Sequence, residues 1–127
     1  MPTTISPVHT HLAEAFGRQR SAILRAEGLK TMAPDSKVNP AFMQKWSENI
    51  YQASTSIDKT FNQALAEARP QAGIDALTGA NSLNMQAVGI IEARYDRPYV
   101  AADLAPVVVK LQGAFDQMRV AATHFAN

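Results

Sequence analysis

The three histidines are the residues of this chain best suited to hold a metal ion or a haem. His9 and His11 lie at the start of a predicted first helix, and His124 lies near the end of a predicted last helix. In an antiparallel bundle these ends share one pole, where imidazoles could bind a transition metal or ligate a haem. Residues two apart point to nearly opposite sides of a helix, so His9 and His11 cannot both face one point. We therefore expect solvated histidines and no metal or cofactor, with a metal or haem bundle as an alternative.

Patterns typical of the familiar enzyme classes are absent from the sequence. Carboxylate-bridged dimetal bundles need Glu-x-x-His repeats, and no glutamate here is followed three residues later by histidine. There is no Gly-x-Ser-x-Gly, no phosphate-binding glycine loop and no cysteine, which removes thiol nucleophiles and iron–sulfur clusters. We therefore expect a protein that is not an enzyme and has no catalytic residues.

A basic face on the first predicted helix is the candidate for nucleic-acid binding. Residues 1–45 carry six basic and three acidic residues, and Arg18 and Arg25 are seven apart with Arg20 close by. A basic helix face can follow a phosphate backbone. The net charge of the whole chain is only +1, which does not indicate a polyanionic partner. We expect a solvated helix face and keep a nucleic-acid-binding accessory protein as an alternative.

Two loops carry residue types that are frequent in protein interfaces. Tyr95, Arg97 and Tyr99 surround a proline turn, and Lys30 and Met32 lie on the connection between the first two helices. Tyrosine and arginine are enriched among the residues that dominate binding energy. The alternative for the tyrosines is that their rings cap the end of the core while their hydroxyls contact water. We predict that these five residues contact a protein partner.

The elements that position these residues are helical almost throughout. Ser6-Pro7 and Asn39-Pro40 each join an N-cap residue to a proline, which is typical of a helix start. Gly28, Pro70 and Gly79 are expected to end helices, and Ser82 and Asp103 to begin them. The triplet Val107–Val109 would suit a strand, but it lies within a longer helical pattern. The expected helices span about 7–27, 40–69, 82–96 and 104–125, with a possible short helix at 71–78 and flexible residues 1–6.

Apolar residues at steps of three and four predict an all-α fold, an antiparallel up-and-down four-helix bundle in one domain spanning 1–127. Its second helix is expected to be long and its third short or broken, unless 71–78 extends the third. The seam from Met43 to Ala68 on the second helix could project beyond its neighbours. A projecting seam would need a partner or a second copy to cover it, which favours a homo-oligomer or a hetero-complex.

The composition is that of a globular protein. The chain has 127 residues, 46% of them hydrophobic, which suffices for one domain with its own core. We see no apolar run of membrane-spanning length and no signal peptide, and so expect a cytoplasmic protein. The lack of cysteine suits an exported chain equally well.

The Pro34–Pro40 turn followed by the Met43–Ala68 seam is similar in layout to the small helical subunits of bacterial type III secretion needles. The Ser/Thr/Pro-rich start of the chain is similar too; the resemblance covers about a third of the chain, and the two helices expected after Pro70 depart from it. No family is assigned on this basis. We expect a small bacterial or phage protein that acts through protein–protein contact.

Overall fold

The computed structural model describes residues 6–93 and 99–126, which form the expected all-α four-helix bundle. Consecutive helices run antiparallel. Within the described ranges, none of the helices combines the length and the apolar character needed to span a bilayer. The structure does not describe residues 1–5, 94–98 and 127, which include most of the segment 1–6 that the sequence predicts to be flexible. The elements are α1 (Pro7–Arg25), β1 (Lys37–Val38), α2 (Pro40–Ala66), α3 (Gln71–Glu92), β2 (Tyr99–Val100) and α4 (Ala105–His124), with 3₁₀ turns at Ala26–Thr31 and Ala101–Leu104.

α2 begins as the sequence predicted and continues without a break. The Asn39 side-chain oxygen accepts a hydrogen bond from the Ala41 amide at 2.8 Å, and Pro40 occupies the first turn. The hydroxyl run Ser54–Ser56 lies within the helix, where Thr55 bonds back to the Tyr51 carbonyl at 3.0 Å. Local hydroxyl competition therefore does not interrupt this helix.

The prediction of a short or broken third helix is wrong, because α3 is continuous for 22 residues from Gln71 to Glu92. Gly79 was expected to end a helix and Ser82 to start the next, but both lie inside α3. One glycine in a helix interior costs only about 1 kcal/mol. The packing of α3 on α4, which buries residues such as Leu77, outweighs that cost. Residues 94–96, predicted to end this helix, lie outside the described residues.

Three other helix boundaries, the ends of α1 and α2 and the start of α4, differ from the predictions. α1 ends at Arg25 and tightens into a 3₁₀ turn, and no described glycine, Gly28 included, has a positive φ. α2 ends at Ala66, and Ala68, with a φ of 54°, makes the left-handed turn into α3. Asp103 lies within the last 3₁₀ turn, so Leu104 rather than Asp103 precedes α4. The 3₁₀ turns satisfy helix-end groups without glycine, which the sequence pattern did not reveal.

A short antiparallel bridge joins the two long connections of the bundle. Lys37 pairs with Val100 and Val38 with Tyr99, and the Ala101 amide donates to the Ser36 carbonyl at 3.0 Å. Strands of two residues have no readable alternation, so the sequence did not predict this bridge. It fastens the α1–α2 connection to the segment that precedes α4.

The apolar seam of α2 is covered by the chain itself. Met43, Trp46 and Ile57 are almost completely buried between α1 and α3, and the Trp46 indole donates to the Ala22 carbonyl at 2.8 Å. Ala68 is no longer helical and is exposed. α2 therefore has no projecting apolar seam that a second copy or a partner would need to cover.

A pair of buried amides divides the apolar core into two clusters. Gln19 of α1 and Asn84 of α3 exchange two hydrogen bonds of 2.9 and 2.8 Å, and Gln19 also donates to the Leu111 carbonyl of α4 at 3.0 Å. Both side chains are fully buried. One cluster contains Phe125 and lies towards the start of α1, and the other contains Trp46 and lies towards its end.

Candidate protein-binding groove

The structure brings the start of α1 to the end of α4, but it does not assemble the histidines. The His9 ring nitrogen Nε2 forms a hydrogen bond with the Phe125 carbonyl at 2.5 Å. His11 is half-buried and His124 is exposed. Within the described ranges, no three His, Cys, Asp or Glu side chains are grouped to hold a metal ion.

The three arginines of α1 have different surroundings rather than one shared basic face. Arg18 forms an ion pair of 3.1 Å with Glu14, one turn earlier on the same helix. The Arg25 guanidinium donates to the Asn49 amide oxygen of α2 at 2.5 Å. Arg20 is exposed on the side of α1 that borders α4.

Only part of the predicted contact set lies at the described surface. Tyr95 and Arg97 fall outside the described residues. Tyr99 is 6% exposed, and its hydroxyl donates to the Ile91 carbonyl, so the structure places this ring in the core and its hydroxyl away from water. Met32 is half-buried against the Trp46 cluster, and Lys30 is exposed, with its ammonium 3.1 Å from Glu27.

A surface groove runs between α1 and α4, the two neighbouring helices that contact each other least. Three open depressions of about 330, 560 and 380 Å³ follow one another along it. Gln112 lines two of them, which makes the groove continuous there. We call this surface the α1–α4 groove, with a His9 end and a Lys30 end. Its main lining residues are His9, Leu12, Phe16, Arg20, Ile23, Leu24, Lys30, Val108, Val109, Gln112, Phe115 and Asp116.

The floor of the α1–α4 groove is aromatic and aliphatic. The Phe16 and Phe115 rings meet edge to face with centroids 5.3 Å apart, and both are half-buried. Ile23 and Val108 continue the half-buried floor towards the Lys30 end. Edge-to-face contact stabilises the pair and bridges the two walls.

Two large apolar side chains stand exposed on the walls of the groove. Leu24 of α1 is 55% exposed and Val109 of α4 is 65% exposed. Single exposed apolar residues are common on proteins, but these two flank a floor that is itself apolar. Leu24 extends the apolar surface outwards at the central depression, and Val109 does so at the Lys30 end.

Apolar periodicity does not distinguish a side chain in a closed seam from one on the floor of a groove, so the sequence did not reveal that Phe16, Phe115 and Val108 line a groove. In α4, Val107 and Ala114 are fully buried, whereas Val108 and Phe115, each one residue further along, are half-buried and line the groove. α4 packs closely on α3 at Gly113, where an added Cβ would lie 3.2 Å from Leu83. The second apolar stripe Val107–Ala114–Ala121, one residue before Val108–Phe115–Ala122, was the available signal.

Near the His9 end, a carboxylate from the end of α2 caps the start of α1. Glu67 accepts hydrogen bonds from the Val8 amide at 3.1 Å and from Gln63 at 2.9 Å, and forms a 3.0 Å ion pair with Arg69. Burial by itself raises the pKa of Glu67, but the hydrogen bonds from Gln63, Ser6, Arg69 and Val8 together lower the pKa to about 2. Ser6, expected to cap α1 with its own side chain, instead accepts from Arg69 at 3.0 Å.

Glu67→Gln is expected to remove a pH-dependent part of the stability. With its pKa lowered from 4.5 to about 2, the Glu67 carboxylate stabilises the fold above pH 4.5, and this stabilisation is lost as the pH falls towards 2. Urea unfolding midpoints of the wild type and Glu67→Gln should therefore differ at pH 7 and converge near pH 2. Glu48→Gln, an exposed change on α2, is the control. A difference between wild type and Glu67→Gln that is equal at every pH would contradict the assignment.

The α1–α4 groove is open along its length, apolar on its floor and charged on its walls. Such a surface suits the packing of an elongated apolar ridge better than the enclosure of a small molecule. Comparisons of this chain with protein-family models, with curated proteins and with solved structures found no match.

Proposed function

We propose that this is a non-enzymatic helical-bundle protein that acts by binding a helical segment of a partner protein in the α1–α4 groove. The observation that carries the proposal is the series of half-buried apolar side chains along the α1–α4 groove, from Phe16 and Phe115 to Ile23 and Val108, left half-open by the loose contact of α1 with α4. The proposal keeps the function expected from the sequence and moves the contact surface from the loops to this groove. Of the predicted contact residues, Lys30 lines one end of it.

The shape of the groove favours a helix as its occupant. α1 has 19 residues, so the groove is about 28 Å long at 1.5 Å per residue. Two antiparallel helices with a furrow between them accept a third helix whose apolar side chains fill the furrow, at interaxial distances of about 8–10 Å. Helix-in-groove recognition uses apolar anchors at steps of three and four residues.

Photo-crosslinking at matched positions tests the location of the binding surface. A photoreactive phenylalanine analogue replaces Leu24 or Val109 at the groove, or Leu65 or Tyr51 on α2, in the source cells. The controls are 51% and 44% exposed, so simple accessibility is comparable. We expect one protein adduct at both groove positions and at neither control position.

Three other outcomes would contradict the proposal. Equal adducts at all four positions would indicate nonspecific contact. Adducts of twice the chain's own mass, 13.8 kDa, would indicate a homo-oligomer in place of a different partner. An adduct with nucleic acid at Leu24, near Arg20, would favour the nucleic-acid alternative.

A further inference from the structure

We propose that the α1–α4 groove recognises an amphipathic helix with opposite charges on its two flanks, and that Arg20 and Asp116 fix the direction in which this helix binds. The proposed occupant carries acidic residues on the flank that faces α1 and basic residues on the flank that faces α4. This inference rests on the proposed function of the groove and names the chemistry of its partner.

Arg20 and Asp116 stand on opposite walls of the central depression. Arg20 belongs to α1 and Asp116 to α4, both are exposed, and both line the same volume of about 560 Å³. No ion pair within the described part of the chain joins them, although Arg18 pairs with Glu14 close by. Within this central depression, each wall therefore offers one charge to a molecule that enters the groove.

The apolar floor between these charges sets what the occupant must look like. Ile23 and Phe115 lie between the two walls, so the side of the occupant that enters the groove is apolar. Carboxylates on one flank would then meet Arg20 and ammonium or guanidinium groups on the other would meet Asp116. Charge complementarity of this kind contributes more to orientation and specificity than to affinity.

Neither the groove nor the exposed face of α2 in a second copy of the chain would fit the groove well. Two grooves placed face to face leave their floors unfilled, so a copy would have to present an apolar ridge. On α2, the exposed Tyr51 and Leu65 lie 14 residues apart on one helix face, but the polar Thr55, Asp58 and Asn62 separate them. This face of α2 therefore provides no continuous ridge for the groove.

The backbone of the groove itself does not select a direction. Because α1 and α4 run antiparallel, their macrodipoles oppose each other along the groove. If a bound helix is turned end for end while its apolar face stays in the groove, the flank that faced α1 then faces α4, and the other flank faces α1. The charges at Arg20 and Asp116 therefore decide which way the helix runs.

Two designed 18-residue helical peptides test this proposal. Both have the same leucine face, with glutamates on one flank and lysines on the other, and the second peptide has the two flanks exchanged. Each peptide carries a spin label at its N-terminus. The amide signals of the ¹⁵N-labelled protein show which end of the groove this label approaches. We expect both peptides to bind in the groove in opposite directions, one label broadening signals near His9 and the other near Lys30.

Charge variants complete the test. Arg20→Glu should weaken both peptides about fivefold, since it replaces an attraction by a repulsion at a partly exposed site. The double variant Arg20→Glu/Asp116→Arg should restore affinity and reverse both directions. Lys59→Glu, an exposed change on α2, which does not line the groove, should change neither the affinity nor the direction of either peptide.

The possible failures of the two proposals are distinct. Binding in the groove with one common direction, or without an effect of Arg20→Glu, would overturn the charge-directed recognition and leave the groove as a binding surface. Peptide-induced shifts that avoid the groove residues, or no shifts at all, would overturn the proposed function itself.

Discussion

Gln19→Met is expected to lower the free energy of unfolding by about 3 kcal/mol, although methionine resembles glutamine in length. The change removes both hydrogen bonds to Asn84 and the one to the Leu111 carbonyl. Asn84 then keeps a fully buried amide without its partner. Each buried polar group left unpaired costs about 1–3 kcal/mol, and here both the NH₂ group and the oxygen of Asn84 lose a bond.

A substitution of Asn84 on α3 distinguishes the cost of one unpaired buried amide from the net contribution of the hydrogen-bonded pair to stability. Asn84→Leu alone should cost about as much as Gln19→Met, because it strands the other amide. The double variant should cost less than either single variant, since no amide then remains unpaired in the core. Urea unfolding of the four proteins forms a double-mutant cycle. Additive effects of the two substitutions would show that the amides do not depend on each other.

The second large effect is expected from Gly73→Ala, with a loss of about 1–3 kcal/mol. A Cβ atom at Gly73 would lie 2.5 Å from the Phe125 ring and 3.0 Å from the His124 Cβ. Phe125 is fully buried, so its ring has little room to move, and overpacking of this kind costs about that amount. The normal preference of a helix for alanine over glycine, worth about 1 kcal/mol, is outweighed at this position.

Gly89→Ala is the matched control on the same helix. Nothing lies within 4 Å of a Cβ built at Gly89, and the position is exposed. This variant should therefore gain about 0.5–1 kcal/mol from helix propensity alone. Thermal and urea unfolding should give opposite signs for the two glycines of α3. Stabilisation by Gly73→Ala would mean that α3 and α4 are not in close contact at this pole.

The stability predictions and the proposed groove both depend on how closely α4 packs on its two neighbouring helices, α3 and α1. α3 and α4 approach closely at small residues, whereas α1 and α4 contact each other less, through the Phe16–Phe115 rings and the hydrogen bonds of His9 and Gln19, and leave a furrow. A bundle with one loosely closed seam has a ready place for a further helix. Stability variants in the tight seam and binding variants in the loose one should therefore act independently of each other.

The residues of the candidate site could be predicted only in part from the sequence. His9, Arg20 and Lys30 were singled out for their chemistry, and the structure distributes them along the α1–α4 groove, each next to apolar residues. Asp116 was not singled out, because one acidic residue in a helix carries no pattern. Its position opposite Arg20 depends on the alignment of α1 with α4, which no local spacing encodes.

The sequence by itself determined the helical class, the starts of α1 and α2, and most of the apolar positions, because caps and periodicity act over a few residues. Tertiary structure decided the continuity of α3, the pairing of Gln19 with Asn84 and the opening between α1 and α4. An apolar stripe indicates that a helix must be covered, but not which neighbour covers each part of it. Packing across the bundle makes that choice, and it outweighs local costs of about 1 kcal/mol such as an interior glycine.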